Sequence, residues 1–130
     1  MILVGAGKLG QAIVGYINGK DMPFVFRGAF DIDPAVIGRT IGNTRIYPME
    51  DLKEFVKTHN IDMAALTVPR TEAVKTAEIL TECHIKGIWN FAHIDLHVPQ
   101  NIRVENVHML DSLMKLSYNL QSMGTEYEGK

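Results

Sequence analysis

The stretch Val4-Gly5-Ala6-Gly7-Lys8-Leu9-Gly10 constrains this chain more than any other. The apolar residues Ile2, Leu3 and Val4 lead into it, and an amphipathic run with Ala12, Ile13, Tyr16 and Ile17 follows. Strand, glycine turn and helix is the context of a dinucleotide fingerprint. In such a motif the first glycine permits a tight turn. The second lets backbone approach a pyrophosphate, and the third lets helix and strand pack closely. The helix N-terminus then offers free N–H groups and partial positive charge to the phosphates. An ordinary tight turn between strand and helix carries the same glycines, so the remainder of the chain has to decide.

That remainder alternates strand-like and helix-like segments, which argues a parallel sheet covered on both faces. Strands are predicted at residues 2–4, 24–30, 44–47, 63–68, 87–91 and 102–107. The run Met-Ala-Ala-Leu-Thr-Val at 63–68 reads as a central buried strand. The 44–47 strand reads as a short edge strand. Helices are predicted at 9–17, stopped by Asn18-Gly19, and at 49–59. Another follows Pro69, with Thr71 as N-cap and Val74, Ala77, Ile79 and Leu80 as its apolar stripe. Gly38 and Gly42 bracket a short irregular helix and a turn. The expected fold is α/β, a doubly wound Rossmann fold with a mainly parallel six-stranded sheet in the order 3-2-1-4-5-6.

Within that fold the binding residues fall at strand ends. Asp31 closes the second strand roughly 20 residues after Gly10, where the fingerprint wants an acid for the ribose hydroxyls. Asp33 is the second choice. Asp31-Ile32-Asp33-Pro34 is also good turn chemistry, so either acid could simply cap the turn. Ile32 follows Asp31 in place of an arginine, and the carboxylate would repel a 2′-phosphate, which favours NAD over NADP. Gly5, Ala6, Gly7, Lys8, Leu9 and Gly10 form the phosphate turn, where Lys8 either points at the pyrophosphate or is simply solvated. Thr67, Val68 and Pro69 end the fourth strand and Asn90, Phe91 and Ala92 the fifth. Ligands of open α/β sheets lie beyond the carboxyl ends of strands, so both triplets should flank the nicotinamide half of the ligand or its substitute.

Several function classes fall away. A net charge of −2 provides no basic footprint for nucleic acid. Cys83 is the only cysteine, so no intrachain disulfide forms, which fits a reducing, cytoplasmic setting. At a helix end Cys83 reads as a small, partly buried hydrophobe. No apolar run reaches the roughly 20 residues that span a bilayer, and no leader precedes the first strand. That abrupt start suits a natural N-terminus or a piece of a longer chain. His93, Asp95 and His97 alternate and could share one face for a transition metal, but they fall in a predicted loop, and no metal site is assigned. No second domain supplies a substrate pocket, and lone histidines do not make a catalyst without geometry. Binding without turnover is expected.

The final helix stands apart. Met109, Leu113, Leu116, Leu120 and Met123 recur in steps of four and three, an a/d seam that Leu110, Met114 and Tyr118 widen. It could pack on its own sheet or form a dimer interface.

The ordered set of motifs resembles the NAD(H)-binding domain of the Rex redox-sensing transcriptional repressors. The resemblance rests on Gly5-Ala6-Gly7-Lys8-Leu9-Gly10-Gln11-Ala12, on Gly28-Ala29-Phe30-Asp31-Ile32-Asp33-Pro34 and on Ile37-Gly38. Thr67-Val68-Pro69, Gly87-Ile88-Trp89-Asn90-Phe91-Ala92 and Leu116-Ser117-Tyr118 complete it. It implies a homodimer whose last helix is exchanged between subunits and contacts the partner's DNA-binding region. It also implies NADH/NAD+ sensing, with NADH releasing the operator. DNA would be bound only through an N-terminal winged-helix domain that this chain lacks. The implied organisation is a Rossmann domain at 1–108, an exchanged helix at 109–123 and a tail at 124–130. Three positions depart from the family pattern. His93 replaces a proline, His108 an acidic residue, and Ser112 a glutamate. The His108 departure bears on redox-sensitive contacts more than on nucleotide binding. Two other readings share the fold: a CoA-binding domain of the succinyl-CoA synthetase type, and a fragment of an NAD-dependent oxidoreductase.

Overall fold

Ile2, Leu3 and Val4 are all buried, with side chains alternating between two apolar clusters, and this places β1 (Ile2–Val4) in the middle of a sheet. The computed structural model describes residues 1–128, with side chains through residue 123. After β1 come α1 (Lys8–Asn18), β2 (Gly28–Asp31), β3 (Thr40–Ile41), β4 (Thr44–Pro48) and α2 (Leu52–His59), the last entered through a 3₁₀ turn at Met49–Asp51. Then follow β5 (Met63–Leu66), α3 (Arg70–Glu82), β6 (Gly87–Asn90), β7 (Arg103–Asn106) and α4 (Met109–Glu128). The seven strands run in the order β3-β4-β2-β1-β5-β6-β7. Every neighbouring pair is parallel except β3 and β4.

The six expected strands keep their order, and the seventh is an addition. Residues 40–41 are not helical. They pair with β4 through a two-residue turn at Gly42-Asn43, with Gly42 at φ 60°, the left-handed conformation a tight hairpin needs. This puts β3 at the edge and β4 inside. The second strand is shorter than the expected 24–30. Asn18 explains it, because its side chain accepts from Phe26 N–H (2.8 Å) and donates to Phe26 C=O (3.4 Å). Those groups are thereby lost to the ladder. α3 begins at Arg70 with Pro69 in the cap position, so Thr71 lies in the first turn. Its buried residues are Ala73, Thr76, Ala77 and Leu80, while Val74 is exposed. α4 continues past residue 122 to Glu128, so most of the expected tail is helical. Residues 129–130 lie outside the described residues. No described helix is long and apolar enough to cross a membrane.

Two layers cover the sheet. Leu52 and Val56 of α2 and Ala73 and Leu80 of α3 close one face over Ile2, Val4, Phe30 and Leu66. Val14 and Ile17 of α1 close the other over Leu3, Ala29 and Ala65. The described side chains of α4 are nearly all exposed, including Met114 (69%) and Tyr118 (70%). Between β6 and β7 no helix forms. Residues 93–98 form an irregular strap, with Ile94, Leu96 and Val98 packed on the core and His93, Asp95 and His97 exposed.

One glycine is demanded by packing. Phe55 makes ring contacts with Phe30 (5.3 Å) and Tyr47 (5.2 Å), and a Cβ on Gly28 would come within 2.8 Å of its ring. Held on two sides, that ring has little room to yield. Gly28→Ala is therefore expected to cost about 1–3 kcal/mol of stability, as overpacking does. Phe55→Leu in the same chain should recover part of the loss. Urea unfolding of the two variants and their combination measures both effects.

Candidate functional site

The strand order reverses between β1 and β5, and the glycine loop sits over the carboxyl ends of the strands at that point. Three strands hold it. Gly5 N–H donates to Phe30 C=O at 2.8 Å, and Ala6 N–H donates to Asp31 Oδ2 at 2.7 Å, both at the end of β2. From beyond β5, Thr67 N–H and Oγ1 donate to Val4 C=O at 2.9 and 3.2 Å. Thr67 Oγ1 also donates to Gly5 C=O at 2.5 Å. Gln11 closes the loop from within α1, donating from Nε2 to Ala6 C=O at 2.9 Å.

The three glycines differ in what they do. Gly5 has φ 99°, and a Cβ there would meet Thr67 C=O at 2.7 Å. A Cβ on Gly10 would strike Gly5 C=O and come within 2.8 Å of Thr67 Oγ1. Gly7 is the reverse case, since a Cβ there would meet nothing within 4 Å. It caps α1, no side chain bonds to the cap, and no acid lies in the first turn. An open approach to unsatisfied helix N–H groups is the arrangement that receives an anion. Lys8 and Leu9 are exposed beside it.

Beside the loop lies a cleft of about 290 Å³ between the ends of β1 and β2 and the helix α3. Gly5 and Asp31 line it, and so does Val68, which the sequence reading set beside the nicotinamide half. Asp31 Oδ1 accepts from Ile32 N–H (2.7 Å) and Asp33 N–H (2.9 Å), so this residue caps its turn as well as facing the cleft. Oδ2, with a single acceptance from Ala6, keeps capacity for a ligand hydroxyl. Asp33 instead caps the next turn, accepting from Ala35 N–H at 2.9 Å. The sequence reading missed Ile32 and Met49, and it missed the α3 residues Thr71, Glu72, Lys75, Thr76 and Ile79. Positions 71, 75 and 79, with 72 and 76 beside them, form one helical stripe, a spacing visible in the sequence once α3 is known to border the site.

The triplet at the end of β6 is packed into the fold. Asn90 is fully buried. Its amide donates to Ile94 C=O (3.1 Å) and Asn106 Oδ1 (2.9 Å), and its oxygen accepts from Ala92 N–H (3.0 Å). It therefore builds the chain reversal after β6. Phe91 packs against Trp89 at 4.6 Å, and Ala92 is buried. Pro69 starts α3 and does not line the cleft. Among the described residues no three His, Cys, Asp or Glu side chains are grouped to hold a metal. His108 Nδ1 lies 3.5 Å from Asp111 at the start of α4. Burial pushes the Cys83 thiol above its ordinary pKa, with Lys53 pulling the other way.

The CoA binding domain model matches residues 1–94, most of the sheet and the whole glycine loop. The chain belongs to the CoA-binding domain family. Relatives of this family member include the redox-sensing transcriptional repressor Rex of Clostridium perfringens, 47% identical over 119 residues, which cover 92% of this chain and 56% of the relative. The chain thus spans little more than half the length of that curated relative. Among solved structures it is similar to RSP, a Rex-family repressor, in complex with β-NADH. The TM-score there is 0.87 and the identity 39%, covering 99% of this chain and 62% of that one. RSP in complex with β-NAD+ and operator DNA matches at TM-score 0.86 and 38% identity, covering 99% of this chain and 60% of that one.

The glycine loop of this CoA-binding domain makes a paired prediction. Gly10→Ala drives a Cβ into backbone and should lower stability by about 3 kcal/mol, the upper end for overpacking. Gly7→Ala should stay within about 1 kcal/mol, the cost of alanine at a helix cap. Its methyl projects into the approach to α1, so ligand affinity should fall while stability holds. Thermal melts with and without nucleotide separate the two.

Proposed function

We propose that this chain is the nucleotide-sensing part of a Rex-type redox-responsive repressor, binding NADH and NAD+ in the cytoplasm without turning them over. The observation that carries this reading is Asp31. It stands at the end of β2 on the wall of the cleft, bonded to the glycine loop through the same Oδ2 that can accept a ribose hydroxyl. The pyrophosphate then lies over Gly7 at the start of α1, and the adenosine enters the cleft beside Val68. Lys8 is free to approach the phosphates, with no ion pair among the described residues. Thr67 positions the loop and Pro69 the start of α3, while Phe91 and Ala92 border the nicotinamide half. The RSP structures with NADH and with NAD+ and operator DNA support the ligand and the regulatory role. Operator binding belongs to a DNA-binding domain outside this chain, whose own charge is −2.

The reading extends to a homodimer built through α4. Leu113 is 59% exposed, and Leu116 and Leu120 are similarly open, so the seam has no cover among the described residues. Exposed apolar area of this kind marks an interaction face.

Calorimetry with NADH, NAD+ and CoA tests the ligand. NADH is expected to bind, with an affinity distinct from that of NAD+. Equal affinities would overturn redox sensing, because a pair of ligands without differential affinity shifts no equilibrium. Asp31→Asn should weaken NADH about tenfold or more, the worth of a hydrogen bond to a charged group. CoA binding that is tighter than NADH and indifferent to Asp31→Asn would replace the proposal. Sedimentation at tens of micromolar should give a dimer that Leu116→Asp dissociates, and a monomeric parent chain would contradict the interface.

A further inference from the structure

Glu72 is the acid that α3 brings to the cleft, where Thr71 and Lys75 of the same helix also line the wall. It is half-buried in the first turn of α3 and lines the cleft with Asp31 and Val68. Its backbone is occupied, with N–H donating to Pro69 C=O at 2.9 Å and C=O accepting from Thr76 Oγ1 at 2.8 Å. Its carboxylate has no hydrogen-bond or ion-pair partner among the described residues. The lining also includes the apolar side chains of Ile32, Met49, Val68 and Ile79. Ile32, 65% exposed at the mouth, offers the flat contact that a ring face seeks. A free acceptor at the edge of an apolar slot suits a planar base that presents a donor on its rim.

We propose that Glu72 reads the base of the bound nucleotide, accepting a hydrogen bond from the exocyclic 6-amino group of adenine and excluding bases with a carbonyl there. This rests on the dinucleotide reading of the same cleft. Asp31 fixes the ribose and the glycine loop the phosphates, so the base reaches the stretch between Ile32 and α3. Adenine donates from its 6-amino group toward the carboxylate. Hypoxanthine presents a carbonyl oxygen at that position, and two acceptors then face each other with the charge unrelieved. A site built for a donor rejects the analogue without one more strongly than an apolar slot would.

The test compares NADH with reduced nicotinamide hypoxanthine dinucleotide by fluorescence titration of the full chain. The unaltered chain is expected to prefer NADH by about tenfold or more. In Glu72→Gln the amide can donate to the carbonyl as readily as it accepts from the amine, so the preference should fall below about threefold. Glu78→Gln, on the exposed side of α3, should leave it unchanged. NADH binding with no preference in the unaltered chain, or with a preference that Glu72→Gln leaves intact, overturns the role of Glu72 alone. Binding of neither dinucleotide overturns this role and the dinucleotide reading together.

Discussion

Asp31 and Thr67 reach the glycine loop from opposite sides, and the arrangement of the site depends on those two contacts. The loop leaves β1 with Gly5 at φ 99°, a conformation that a side chain would resist. Its polar groups sit where strands end and the ladder offers no further partners. Asp31 takes the Ala6 N–H, and Thr67 supplies a donor to the Gly5 carbonyl. Leaving either group buried and unpaired would cost about 1–3 kcal/mol. The absence of a Cβ at Gly10 makes room for Thr67 Oγ1, so the third glycine serves the threonine as much as the helix. The loop is thus shaped before any ligand arrives.

Charge is sorted along the cleft in the same economical way. The carboxylate of Asp31 lies beside the loop, while the helix N-terminus behind Gly7 has no acid in its first turn. The N-terminus of α1 suits an anion, and the carboxylate of Asp31 suits hydroxyl or amine donors. Between them Val68 and Ile79 present apolar surface. A ligand that satisfies all three must be long, anionic in its middle and rich in donors at its nucleoside end.

How much of this was legible in the sequence follows from how local each signal is. The glycine loop and Asp31 stand out because backbone geometry and a strand terminus restrict the residue types allowed. Five inner strands are legible from apolar runs between turn residues, and the edge strand β7 from alternation. The hairpin at Thr40–Ile41 is not, since two residues carry no periodicity and only Gly42 marks the turn. Asn90 misled for a physical reason. A polar residue at a strand end can face a ligand or satisfy its own chain reversal, and the choice depends on Asn106, which is distant in sequence. The same holds for Asn18, which ends a helix and also withdraws Phe26 from β2. Thr71 reads as an N-cap, and Glu72 and Lys75 carry no signal of their own until α3 is set against the cleft.

The strap between β6 and β7 has its own consequence. Residues 93–98 cover the core with three alternate side chains, yet in that segment only Ile94 donates a backbone hydrogen bond among the described residues, to Ala92. Their amide protons face water without a ladder to retain them. β7 is mostly exposed and pairs with β6 alone. The chain from the strap onward is therefore the segment with least to lose on opening, and its amides should exchange long before those of β1 and β5. Cooperative unfolding of this protein has a natural seam at β6, with the nucleotide loop on the durable side and α4 on the labile one.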